Sequence, residues 1–186
     1  TWTLSRDAGQ PVDFAGVTFY DGQGFLARRE VTATRLSEMD AASVCVARGT
    51  TTELNLEDLA EHGSPDLEIH RFDSFPGAYT AFFDGTCDLI SDDRSGLAGL
   101  RAYIGRDSGV YRFLGDVISK EPLGPAVRED DPAWFDVVKW VVNATIAAEE
   151  LGITSSNAAD LRETSNNAEV RRLLGAEPGM GRALGL

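Results

Sequence analysis

Short apolar runs alternate with helical-period patterns between residues 36 and 115. The runs around Val44 and Leu89 are brief and uninterrupted, which is typical of buried strands. Between them, apolar residues recur at helical spacing in residues 51–61 and 75–83, which indicates amphipathic helices. This alternation predicts an α/β fold class, with a parallel sheet covered by helices.

The flanking segments follow a different pattern. Residues 11–31 are rich in strand-forming residues, and residues 122–128 form a second extended segment. A long helix is predicted over residues 132–151, because Asp131 can cap its start and a proline suits its first turn. Two weaker helical segments follow it. The apolar side of the long helix needs a surface to cover it.

A glycine and three threonines stand between a predicted strand and a predicted helix. Gly49 permits a tight turn, and Thr50, Thr51 and Thr52 lie where the helix begins. The first turn of a helix has unpaired N–H groups and the positive end of the helix dipole, so this segment could hold an anion. The alternative is that one threonine caps the helix and the others are solvated. The residues alone leave both interpretations open.

Three charged residues are candidates for binding a zwitterion. Asp92 and Asp93 end the predicted strand that begins at Cys87, so they lie at the sheet edge where open α/β sheets place their ligands. Asp93 could pair with an ammonium group, or it could cap the next helix. Arg6 could bind a carboxylate through its two-pronged guanidinium, although arginines near chain ends are usually solvated.

The charge of the chain excludes several partners. Its net charge is -13 and its pI is near 4.5, so nucleic acid and anionic membrane surfaces would repel it. Neither His62 nor His70 has acidic neighbours at metal-ligand spacing, and no Cys-x-x-Cys motif occurs. We therefore expect no metal. We expect no cofactor either, because Gly22-Gln23-Gly24-Phe25-Leu26-Ala27 matches the loose dinucleotide pattern but is not followed by an amphipathic helix.

The two cysteines, Cys45 and Cys87, each fall in a short apolar segment that reads as a buried strand. Neighbouring strands could bring them to bonding distance. A disulfide would then stabilise the fold by about 4 kcal/mol on the chain-entropy model, and it would imply an oxidising compartment. Two buried free thiols fit the same pattern.

Longer phrases of the sequence resemble one protein family. TWTLSRD, VTFYDGQGF, VCVARGTTTELNL, GTCDLISDD with RSGLAGLRA, and ISKEPLGPAVREDDPAWFDVVKW are similar, in this order, to the general L-amino-acid-binding proteins of bacterial ABC importers. These proteins belong to the polar amino-acid group of periplasmic solute-binding proteins. The resemblance extends to EVRRLLG and GMGRALGL near the end of the chain. It implies the type II periplasmic-binding-protein fold, a two-lobed Venus-flytrap clamp that closes on one free amino acid.

The resemblance implies which residues would bind the α-carboxylate. Arg6 matches the arginine that grips it from the first lobe, and Thr1 stands where a serine or threonine assists. Gly49, Thr50 and Thr51 match the carboxylate site of the second lobe.

Two further pairings follow from the resemblance. Asp93 matches the acid that binds the α-ammonium of the ligand. Cys45 and Cys87 match a pair that we expect to be bonded.

The resemblance also implies how the chain is divided. Residues 1–24 would be the remnant of lobe 1 with the first hinge strand, and residues 25–122 would form a complete lobe 2. Residues 123–186 would supply the second hinge strand and the C-terminal helices of lobe 1. Most of the family's first lobe precedes the TWTLSRD phrase, so lobe 1 is expected to be incomplete, and a homo-oligomer could cover its exposed face.

Three functions are compatible with these features. The first is non-catalytic binding of free L-amino acids in the periplasm, for delivery to the permease subunits of an ABC importer. The second is an enzyme of the same architecture, since a few relatives of these binding proteins are dehydratases, with Glu53 or Asp92 as the acid. The third is an interaction or vestigial domain that keeps the fold and has lost tight binding.

Overall fold

A computed structural model describes residues 11–62, 65–104, 109–177 and 179–183. Among these, residues 20–122 form one compact unit, and the segments before and after them form a second. The division into three parts given above, with its boundaries at residues 24 and 122, stays a prediction.

The elements alternate in the first unit and are mainly helical at the end of the chain. The strands are β1 (Val12–Phe14), β2 (Phe19–Asp21), β3 (Gln23–Arg28), β4 (Ala41–Ala47), β5 (Asp66–Phe72), β6 (Leu89–Asp93), β7 (Tyr111–Phe113), β8 (Glu121–Leu123) and β9 (Ala126–Arg128). The helices are α1 (Thr51–His62), α2 (Phe75–Phe83), α3 (Arg94–Ile104), α4 (Pro132–Glu150), α5 (Ala158–Thr164), α6 (Ala168–Leu173) and α7 (Met180–Ala183). The predicted α/β fold class is confirmed.

The first unit is built on a mixed sheet with the strand order β5-β4-β6-β3-β7. β4 is parallel to both β5 and β6, as the alternating pattern predicted. β3 is antiparallel to β6 and to β7. Val44 is opposite Leu89, and Cys45 is opposite Ile90, so the carboxyl ends of β4 and β6 meet at one sheet edge.

Two apolar cores cover the two faces of this sheet. Successive residues of a strand point to opposite faces, so Val44 joins the core beneath Leu56 of α1, whereas Cys45 joins the core beneath Phe82 of α2. Leu97 of α3 lies in the second core. Burying each such large apolar side chain contributes about 1.5–3 kcal/mol.

A disulfide crosses the second core. Cys45 of β4 is bonded to Cys87, which lies two residues before β6, with their Cα atoms 5.7 Å apart. The pairing that the family resemblance implied is therefore confirmed, and the free-thiol alternative is wrong.

The second unit contains the antiparallel pair β1–β9 and the C-terminal helices. Asp131 caps α4, because its carboxylate accepts a hydrogen bond from the amide of Trp134 at 3.0 Å. The predicted long helix is thus confirmed. α4 exposes a set of large apolar side chains: Trp134, Trp140, Val141 and Ile146.

Candidate ligand-binding site

The turn between β4 and α1 uses its first threonine as a cap. Gly49 adopts a φ of +73°, a left-handed conformation that favours glycine. The hydroxyl of Thr50 accepts a hydrogen bond from the amide of Glu53 at 3.1 Å and donates its own hydrogen to the carbonyl of Ala47 at 2.8 Å. The capping interpretation therefore holds for Thr50.

Glu53 completes this cap from inside the helix. One of its carboxylate oxygens accepts the amide hydrogen of Gly49 at 2.6 Å, and the other accepts from Nε of Arg71 at 2.7 Å. Arg71 also donates to Glu57 at 2.7 Å. Glu53 is thus a buried structural acid whose charge is balanced by Arg71, and the amide of Gly49 is already engaged.

Among the described residues, the second and third threonines both carry donors without an acceptor at this helix start. Within the described part of the chain, no acceptor reaches the amides of Thr51 and Thr52 or the hydroxyl of Thr51. Thr51 is partly exposed, whereas Thr52 is buried. An anion at this position would therefore meet two backbone N–H groups and one hydroxyl.

Gln23 connects this helix start to the strand that carries Asp93. Its side chain is fully buried, and its amide nitrogen donates to the carbonyl of Thr52 at 3.1 Å and to the hydroxyl of Ser91 at 2.9 Å. Its amide oxygen accepts from the side chain of Asn55 at 2.9 Å. Gln23 is also opposite Asp93 in the β3–β6 pairing. The sequence offered one signal for it, a glutamine in an otherwise apolar strand.

The structure brings four of the predicted ligand residues to one sheet edge. Gly49, Thr50 and Thr51 follow the carboxyl end of β4, and Asp93 is the last residue of the neighbouring parallel strand β6. The two remaining candidates, Arg6 and Thr1, lie outside the described residues. The ligand-binding roles of these residues stay predictions.

Two acids beside Asp93 have structural partners. Asp21 accepts hydrogen bonds from both the amide and the hydroxyl of Ser95, so it caps the start of α3. Asp92 accepts from the hydroxyl of Tyr79 at 2.5 Å and from the amide of Asp93 at 2.8 Å. Burial, followed by the charges of Asp93 and Asp21, raises the pKa of Asp92, and these hydrogen bonds offset part of that rise.

A third neighbouring acid, Glu121 of β8, is 2% exposed. Its Oε1 accepts a hydrogen bond from the hydroxyl of Ser119 at 2.6 Å, whereas its Oε2 has no partner among the described residues. Burial, and then the charge of Asp93, raises the pKa of Glu121. Sequence reasoning missed this residue, whose signal was a lone acid inside the extended phrase ISKEPLGP.

Neither a metal-ligand cluster nor a membrane-spanning helix occurs in the part of the chain that the structure describes. No group of three or more His, Cys, Asp or Glu side chains could hold a metal ion there. No helix among these residues is long and apolar enough to cross a membrane.

Several characterised proteins are similar to this chain over most or all of its length. It is 41% identical over 186 residues to the glutamate/glutamine/aspartate/asparagine-binding protein BztA of Rhodobacter capsulatus, covering 100% of the chain and 55% of that protein. It is 41% identical over 177 residues to the general L-amino acid-binding periplasmic protein AapJ of Rhizobium johnstonii, covering 95% of the chain and 51% of that protein. The chain thus spans about half the length of these relatives. No protein-family model matches it.

Solved structures agree with this result. A periplasmic binding protein of an ABC transporter from Brucella ovis, solved with glutathione bound, is 39% identical and superposes with a TM-score of 0.89, covering 100% of the chain and 59% of that structure. An ancestral arginine-binding protein bound to arginine is 22% identical with a TM-score of 0.61, covering 82% of the chain and 64% of that structure, and it supports the fold alone.

These comparisons identify the family of the chain. The relatives are binding proteins by name, which fits the expectation of a protein without catalytic activity, and those related proteins are periplasmic. The type II periplasmic-binding-protein fold is confirmed. Over about half of their length, the chain therefore belongs to the family of amino-acid-binding periplasmic proteins of ABC transporters.

Proposed function

We propose that the chain binds free L-amino acids in the periplasm, for delivery to the permease subunits of an ABC importer. Asp93 pairs with the α-ammonium of the ligand, and the start of α1 receives the α-carboxylate. The observation that carries this proposal is the placement of Asp93 and the open donors of Thr51 at one sheet edge, linked through Gln23. Both ligand groups occur in every amino acid, which fits the broad ligand ranges in the names of the relatives.

The three threonines have different hydrogen-bonding roles at the carboxylate end of the proposed site. The hydroxyl of Thr50 gives its only hydrogen to the carbonyl of Ala47, so this hydroxyl shapes the turn. Thr51 supplies its hydroxyl and its amide, and Thr52 supplies its amide alone. Gly49 contributes the left-handed turn, because its amide is held by Glu53.

The negative charge of Glu53 near this carboxylate requires compensation. Arg71 supplies it through a 2.7 Å contact between its Nε and Oε1 of Glu53. The positive end of the α1 dipole adds to this effect within the first turn of the helix. Arg71 is therefore a positioning residue, because it offsets the charge of Glu53 and keeps the helix start attractive to an anion.

Calorimetry with the full chain and each of the twenty amino acids tests this function. Asp93→Asn should weaken binding roughly 10- to 150-fold, because a charge-assisted hydrogen bond contributes about 1.5–3 kcal/mol. Asp58→Asn makes the same charge change on the exposed side of α1 and should leave affinity unchanged. Binding that survives Asp93→Asn at full strength would reject the ammonium role.

A second pair of variants tests the carboxylate end. Thr51→Val removes the hydroxyl of Thr51 and should weaken binding roughly tenfold. Thr86→Val, at an exposed turn, is the matched control. Equal losses in the two variants would contradict a specific role for Thr51.

An interaction domain without tight ligand binding is the second candidate function. The exposed tryptophans Trp134 and Trp140 of α4 favour it, because large apolar patches often mark contacts with another protein surface. A second copy of the chain is one such surface. Light scattering that finds an oligomer, with no amino acid raising the melting temperature, would favour this function over the first.

A further inference from the structure

Glu121 is a buried acid whose hydrogen bonds are incomplete. The amide of Gln23 donates to the hydroxyl of Ser119 at 2.8 Å, and Ser119 passes its own hydrogen to Oε1 of Glu121 at 2.6 Å. Oε2 of Glu121 is buried, and no donor reaches it from any described residue. An unpaired buried oxygen of this kind destabilises the fold, and more so when the group is charged.

The strongest electrostatic neighbours of Glu121 are acids on two other strands. Asp93 of β6 is opposite Gln23, whose amide holds Ser119, and its negative charge acts on Glu121. Asp21 of β2 adds a further negative charge. Asp92 precedes Asp93 on β6, and its two carboxylate oxygens accept hydrogen bonds from the Tyr79 hydroxyl and from a backbone amide. The ammonium of the adjacent Lys120 lies 4.8 Å from the centre of the Tyr20 ring.

Two carboxylates have no hydrogen to place between them. A proton on one of the two groups would supply the donor that the buried Oε2 of Glu121 lacks. That proton also removes the cost of a second buried negative charge, and it belongs to the pair rather than to either residue. The direction of the Glu121 pKa, raised by burial and by Asp93, agrees with this geometry.

We propose that the Asp93–Glu121 pair keeps one proton in the empty site and that the α-ammonium of the ligand displaces it. This inference rests on the proposed function, since it uses Asp93 as the ammonium partner. The ammonium brings one positive charge and three N–H donors, so it replaces both the charge and the hydrogen bond of the lost proton. The zwitterionic ligand keeps all the protons of its ammonium group, and the singly protonated carboxylate pair releases its one proton to solvent, so atoms and charge balance.

The exchange makes Glu121 a specificity-determining residue. A primary ammonium satisfies both carboxylates, whereas an N-acetylated amino acid carries no positive charge and offers a single N–H group. Such a ligand would have to leave the proton in place and would meet an occupied Asp93. We therefore expect N-acetyl amino acids to bind at least 100-fold more weakly than the free amino acids.

Calorimetry in two buffers with different heats of ionisation measures the protons released per ligand. With the full chain and the tightest-binding amino acid, the wild type should release up to one proton, and its affinity should rise with pH. Glu121→Gln keeps the shape of the side chain and cannot release this proton, so both effects should vanish. Asp58→Asn should behave like the wild type.

The outcomes separate the inference from the function on which it rests. Binding without proton release by the wild type would overturn the exchange and leave the proposed function standing. Absence of binding heat for all twenty amino acids would overturn both.

A ligand-free measurement covers the case in which Glu121→Gln fails to fold. Carboxyl-carbon NMR of the wild type should show one glutamate titrating above the usual range, and Ser119→Ala should shift this titration further upward, because Oε1 loses its donor. A spectrum in which all glutamates titrate in the usual range would overturn the shared proton.

Discussion

The side-chain amide of Gln23 donates a hydrogen bond to the carbonyl oxygen of Thr52 at 3.1 Å. This contact links strand β3 to the first turn of α1, and the backbone of Gln23 is opposite Asp93. A single buried glutamine therefore joins the two ends of the proposed site within the first unit.

We expect Gln23→Leu to reduce both stability and binding. The substitution leaves the Asn55 amide without its partner and removes a donor from Ser91, which should lower the free energy of unfolding by about 1–3 kcal/mol. Urea denaturation measures this loss, and calorimetry measures the affinity. Asn143→Leu, at an exposed position of α4, is the control, and an equally small effect of both variants would contradict the role of Gln23.

Arg71→Gln should weaken amino-acid binding and also lower stability. Glu53 would keep its charge at the helix start, where it would repel the ligand carboxylate by about 1–1.5 kcal/mol, or roughly tenfold in affinity. Stability should fall by more than the loss of an exposed ion pair, because the side chain of Glu53 is 11% exposed and would keep its charge without a charged partner.

Salt provides an independent check on Arg71. The affinity loss should shrink as ionic strength rises, because the repulsion is screened. Arg171→Gln breaks an ion pair of similar exposure in the second unit and should leave binding intact. A loss that does not depend on salt would point to a distorted helix start instead of a charge effect.

Removing the disulfide should lower the free energy of unfolding. Cys45 and Cys87 are 42 positions apart, and closing a loop of this length contributes about 4 kcal/mol on the chain-entropy model. The double variant Cys45→Ala/Cys87→Ala, compared with the wild type in urea with and without a reductant, measures the effect. Reductant should destabilise the wild type alone, and equal stability of oxidised and reduced wild type would contradict the prediction.

Glu121→Gln should change how stability depends on pH. The folded-state pKa of Glu121 is raised, so the folded chain binds its proton more tightly than the unfolded chain. The stability from this group is fully present below the unfolded value, near 4.5, and is lost as pH rises through the raised folded value. Ligand-free wild type should therefore lose stability with rising pH over this window more steeply than Glu121→Gln, as urea titrations at several pH values can show.

Local patterns predicted the helices well. Asp131 and the following proline marked the start of α4, because capping depends on residues that are close in sequence. The direction of β3 was not predictable in the same way. An apolar run indicates burial, but whether a strand is parallel or antiparallel depends on the path of the chain between strands.

The site was predictable only in part for a similar reason. The glycine and threonine run and Asp93 stand at recognisable places, at a helix start and a strand end. Gln23 and Glu121 are single polar residues within extended segments, and their importance comes from partners such as Thr52 and Asp93 that are distant in sequence. The hydrogen bond from the Thr50 hydroxyl to the Ala47 carbonyl likewise follows from the geometry of the turn.

The disulfide has a consequence for ligand spacing as well as for stability. Cys45 of β4 lies four positions before Gly49. Cys87 lies six positions before Asp93, the last residue of β6. The disulfide thus links covalently the two segments that lead to the carboxylate and ammonium ends of the proposed site. In the oxidised chain, the distance between these two segments is therefore constrained before a ligand binds.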